Sequence, residues 1–146
     1  MTCRILLLVP LCLAIVLTAE TVQSGDKKEQ EKFEGTWSLV KVMGGKERPK
    51  KDEYLKLTFQ GDKVTIKTGP KMTEAATYSV DPTKKPKELN VHFENGKKLT
   101  HYAIYELNGD TLKICSFDGG KNFEGRPKQM VANEETVLGV LKREKK

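Results

Sequence analysis

Beyond residue 32, apolar side chains return at every second position in one short run after another, the period of a strand rather than of a helix. Leu55, Leu57 and Phe59 alternate with polar residues, Gly61-Asp62 supplies a two-residue turn, and Val64 and Ile66 alternate on the way back. Counting outward from that turn sets Phe59 opposite Val64 and Leu57 opposite Ile66, so all four share one face. Ala76, Tyr78 and Val80 predict a strand that stops at Asp81-Pro82, and Leu89, Val91 and Phe93 predict the next. Asn95-Gly96 is a strong hairpin signal and leads into a strand over residues 99–107. Its facing stays open: a two-residue turn puts Tyr102 and Ile104 beside Val91 and Phe93, whereas a three-residue loop puts His101, Ala103 and Tyr105 there. Asn108-Gly109-Asp110 turns the chain into a strand over Thr111–Phe117 with Leu112 and Ile114 inward, and Thr136–Arg143 is the last strand.

The first strand lies in Phe33–Val42, which holds the single tryptophan of the chain. Trp37 and Leu39 share one face, with Val40 and Val42 on the other, and Gly35 lets the backbone pass close to a neighbour. Asp26–Lys32 is almost wholly charged and predicts one helical turn ahead of this strand. Eight strand candidates joined mostly by tight turns predict an all-β domain: a single eight-stranded antiparallel up-and-down barrel preceded by a short helical turn. Residues 118–135, rich in glycine and charge, form the longest break in the pattern.

Residues 1–24 read differently. Arg4 precedes a run of 13 residues, Ile5–Leu17, with small residues at Thr18, Ala19 and Ser24. That run matches the core of a secretory signal and falls short of the ~20 residues a spanning helix needs. The expectation is an exported protein with a 1–24 leader and a 25–146 barrel domain, and with no membrane insertion once the leader is removed. Removing the leader deletes Cys3 and Cys12 and leaves Cys115 alone, so the mature domain relies on its core rather than on an internal disulfide.

The formal charge of +6 is unchanged by that cleavage, because Arg4 and Glu20 leave together. The lysines alternate with apolar residues or sit in turns, which suits solvated strand faces rather than a nucleic-acid surface. No nucleic-acid partner is expected.

Gly35-Thr36-Trp37 resembles the Gly-x-Trp signature that opens the first strand of lipocalins and related barrels. In that superfamily a basic residue of the last strand covers the indole, a position that Arg143 matches here. The likeness extends through Asp81–Phe93, Ile104–Cys115, Arg126-Pro127 and Leu141–Arg143, where the chain resembles a family of small exported domains abundant in planctomycete bacteria. The resemblance implies a lipocalin-like barrel with Gly35, Trp37 and Arg143 as its structural signature, and a helical turn plugging one end. It supplies no active site. The chain departs from the family pattern at Met130, where an aromatic is usual.

Candidate chemistry is sparse. His92 and His101 are diagonal neighbours on the outer face if the Asn95-Gly96 turn has two residues, but two imidazoles without a third ligand do not make a zinc site. Cys115 lacks an activating base and faces opposite to Leu112 and Ile114, which predicts partial exposure and an inert thiol. Asp110 and Asp118 are available as a carboxylate pair, but no surrounding motif marks them. Gly44-Gly45 and Gly119-Gly120 lack the lysine and helix of a phosphate loop. Neither an enzyme nor a cofactor is expected.

What remains is a container. Leu57, Phe59, Ile66, Tyr78, Val91 and Phe93 are expected to line the interior and take a small apolar or amphipathic ligand, with Arg126 near the mouth to meet an acidic end. A plainer role for Arg126 is an ion pair with a nearby carboxylate. The alternative to a container is a cell-envelope structural or protein-interaction module whose interior is filled by the same side chains.

Overall fold

The computed structural model describes residues 23–46, 54–94, 99–118 and 125–145. One helix, α1 (Gln23–Glu31), is followed by β1 (Gly35–Gly44), β2 (Leu55–Gln60), β3 (Lys63–Thr68), β4 (Met72–Asp81), β5 (Lys87–Phe93), β6 (Leu99–Asn108), β7 (Thr111–Phe117) and β8 (Thr136–Arg143). Each strand pairs antiparallel with the next and β8 returns to β1, so the eight strands form a closed up-and-down barrel. The β2–β3 ladder has Phe59 opposite Val64 and Leu57 opposite Ile66, the register set by the Gly61-Asp62 turn.

Closure is made at Trp37. Its backbone pairs with Arg143, whose guanidinium lies 4.1 Å from the centre of the indole. The indole N–H donates to the Phe33 carbonyl at 2.7 Å, and Arg143 donates to the carbonyls of Glu34 and Lys32 and to Asp110. Gly35 has φ +110°, a conformation L side chains rarely adopt, which lets the chain swing from α1 into β1 beneath the arginine.

Two expectations change and one open alternative is decided. The β1–β8 register shifts between Leu39 and Lys41, a β-bulge that resets the alternation. Val40 stays exposed, but Val42 faces inward with Leu39 instead of sharing the face of Val40. In β6, Phe93 opposes Leu99 and Val91 opposes His101, which turns His101, Ala103 and Tyr105 inward. Asn95-Gly96 itself lies outside the described residues. The helix runs a full nine residues and brings a carboxylate, Glu29, into the barrel end.

Residues 125–135 are not a free loop but a strap over the outer face. Met130 and Ala132 pack with Met43 on Ile104, Cys115 and Leu138 to form a second, smaller core outside the barrel wall. The strap is pinned at the far end, where Gly45 N–H donates to the Asn133 carbonyl and the Asn133 side chain accepts from the N–H groups of Glu135 and Thr136. Gly44, at φ +80°, is required there, because a Cβ would overlap the carbonyl oxygen of Thr136.

Candidate functional site

The two ends of the barrel are built from different side chains. At the end covered by α1, Phe33 meets the rings of Phe59 and Tyr105 edge-on at 5.2 and 5.0 Å, and Tyr78 at 5.8 Å. Glu29 is almost fully buried beside them, its oxygens 2.6 Å from Lys87 Nζ and 2.7 Å from Lys32 Nζ, with the Tyr105 hydroxyl donating at 3.1 Å. Burial works against the carboxylate, but the hydrogen bonds from Lys32, Lys87 and Tyr105 prevail and lower its pKa to about 2. Desolvation and the neighbouring Glu29 push the Tyr105 phenol upward, so it stays a donor. This end is sealed by a packed plug with its charge satisfied.

Toward the other end the inward residues shrink, and no helix among the described residues covers them. Leu39, Val42, Leu55, Ile66, Val91, Val137 and the side-chain-free Gly139 face a cavity of about 450 Å³. Its floor is Leu57, Phe59, Val64, Leu89, Ala103 and Leu141, all buried. Its rim carries exposed Leu99 and Glu74 together with Phe93, His101 and Ser116.

Of the residues expected to line the interior, Leu57, Phe59, Ile66, Val91 and Phe93 do so. Tyr78 faces inward but belongs to the plug, packed on Phe33 and Phe59, with its hydroxyl 3.5 Å from the Gln30 carbonyl. Arg126 is not at the mouth. It lies outside the wall and clamps the strap to β5 and β6, donating to the carbonyls of Leu89 and Ala103 and to Asn90, pairing with Glu88 at 3.3 Å and stacking on Tyr102. A planar five-donor fork matches this dense set of acceptors, which leaves the guanidinium committed to the fold.

The remaining candidates separate in the same way. His92 opposes Thr100 on the outer face and His101 faces the cavity, so the wall stands between the two imidazoles. Burial lowers the His101 pKa and keeps its ring neutral at pH 7. Asp110 pairs with Arg143 at the sealed end, whereas Asp118 accepts from Lys46 N–H at the other, with the length of β7 between them. Cys115 does face away from Leu112 and Ile114, but it is buried rather than partly exposed, because the strap covers it. Its thiol points at the carbonyls of Gln129 and Val131, and burial raises its pKa, which suits an inert role. Gly119-Gly120 lies outside the described residues.

Leu39, Val42, Glu74, His101, Ser116, Val137 and Gly139 also line the cavity. Glu74 was accessible to alternation, since it extends the series Ala76, Tyr78, Val80 by one step. Val42 was not, because the bulge that turns it inward has no local signature.

Comparison with curated proteins and with solved structures returned no match. A family description, lipocalin-like domain, matches residues 33–114, a span that starts at the plug residue Phe33 and runs into β7. With more than half of the 146 residues matched and an eight-stranded closed barrel of the corresponding shape, the chain belongs to the lipocalin-like domain family.

Proposed function

We propose that the protein is an exported, noncatalytic carrier that holds one small apolar or amphipathic molecule inside its barrel. The observation that carries this reading is the hollow half of the interior. A cavity of about 450 Å³ walled by aliphatic and aromatic side chains falls within the ~300–1,000 Å³ of small-molecule sites. A structural module needs no such space and is better served by a filled core, which the opposite half of the same barrel achieves. The lipocalin-like family supports a ligand-binding fold. The segments that resemble the exported planctomycete domains, together with the leader-like residues 1–24, support export.

Native mass spectrometry of the protein purified from its own source tests the carrier reading. A bound species of a few hundred daltons, released on denaturation, is expected, and a spectrum of bare polypeptide counts against it. Amino-terminal sequencing of the same material tests export, with a start near residue 25 as the expected result.

A further inference from the structure

We propose that the barrel selects an amphipathic molecule whose polar end is a protonated amine, bound at the rim by Glu74 and Ser116 with the apolar body below. This rests on the carrier reading and names the ligand class of that site. Three observations point to it.

The polar groups of the lining are sorted by depth. Glu74 on β4, His101 on β6 and Ser116 on β7 each occupy an inward position near the strand end farthest from α1. Every deeper inward position among the described lining residues is apolar. Three strands contributing polar groups toward the same end make a head-group position, and the apolar floor makes a tail position.

The sign of the charge is contrary to that of the molecule as a whole. The chain carries 26 lysines and arginines against 20 acids, yet no lysine or arginine appears among the described lining residues. Arg126, the cation that would suit a carboxylate ligand, is held outside the wall by the carbonyls of Leu89 and Ala103. With His101 neutral, Glu74 is the one described lining residue with a formal charge.

The chemistry of these groups then favours donors. The Glu74 carboxylate accepts only, and the Ser116 hydroxyl accepts through its lone pairs. An ammonium, with three donors and a positive charge, can satisfy such a set. A carboxylate placed beside Glu74 meets like charge.

The test is competition by dodecylamine, dodecanol and dodecanoate, below their micellar concentrations at pH 7, against the neutral probe N-phenyl-1-naphthylamine bound to the full chain. The amine is expected to displace the probe at a concentration at least about tenfold below dodecanoate, equivalent to about 1.4 kcal/mol, with the alcohol between them. Glu74→Gln is expected to bring amine and alcohol together, and Glu74→Lys to put dodecanoate first. Glu74, the site of both substitutions, is exposed, and the fluorescence of buried Trp37 reports whether the variants fold. Equal displacement by the three, a preference for dodecanoate, or an amine preference that survives Glu74→Gln overturns the inference while leaving the carrier reading in place. Failure of the chain to bind the probe or any of the three overturns both.

Discussion

The two halves of this barrel follow one rule of alternation and arrive at opposite interiors. Near α1 the inward positions are Trp37, Phe59, Tyr78 and Tyr105, and Phe33 fills the space between them. Toward the rim they are Leu39, Val42, Ile66, Val91, Val137 and Gly139, and among the described residues they leave a cavity between them. Alternation decides which side chains point in, and their size decides whether the inside is a core or a container. The sealed half supplies the stability that lets the other half stay hollow. Substitutions that attack the two halves should therefore differ in what they break.

The largest effect is expected from Trp37→Ala. It removes a fully buried indole and its bond to Phe33, at a cost of about 3–5 kcal/mol seen as a lowered urea midpoint. Arg143→Ala comes next, at about 2–3 kcal/mol, since it strips the cation from the indole face and leaves the Glu34 and Lys32 carbonyls without their donor. If Arg143→Lys restores less than half of that loss, the planar fork matters as well as the charge.

Glu29→Gln sharpens the comparison through pH. The folded-state pKa of about 2 lies below the ordinary carboxylate value of 4.5, so the charged form is favoured by folding. Its contribution is fully present above about pH 5 and is lost as pH falls toward 2. The variant should be less stable than the parent by about 1–2 kcal/mol at pH 7, a figure reduced because both lysine partners reach solvent, and the gap should close by pH 2. Parallel urea curves at pH 7, 4 and 2.5 measure it. The smallest effect on stability belongs to Phe93→Ala at the rim, about 1 kcal/mol or less, because the ring faces a cavity rather than a packed core. The same change should weaken binding of an apolar probe, which no plug substitution that still folds is expected to do selectively.

Much of this was legible locally. The β2–β3 hairpin followed from Gly61-Asp62, where turn chemistry and alternation agree, and the Gly-x-Trp resemblance led to the seam between Trp37 and Arg143. What escaped the sequence depends on partners distant along the chain. The bulge that turns Val42 inward arises where β1 meets β8, about a hundred residues away. The facing of β6 turned on one residue of loop length, which moves every side chain to the other face. Burial of Cys115 required a strap whose own sequence carries no strand or helix period, and Arg126 found acceptors on β5 and β6 that no spacing rule places beside it. Glu29 looked like one charge among many in Asp26–Lys32, and it became a buried ligand of Lys87 and Tyr105 only because α1 caps the barrel.

Because β8 pairs with both β7 and β1, it is the strand that removes both free margins at once. A polypeptide still lacking it presents two unpaired ladders to its neighbours, the condition under which strands recruit one another into aggregates. Pairing Arg143 with Trp37 also spans 106 residues, so this contact carries a heavy loop-closure entropy and cannot nucleate folding cheaply. Assembly is therefore expected to begin in the local hairpins and finish at the indole, leaving a late window in which dilution or a chaperone decides the yield.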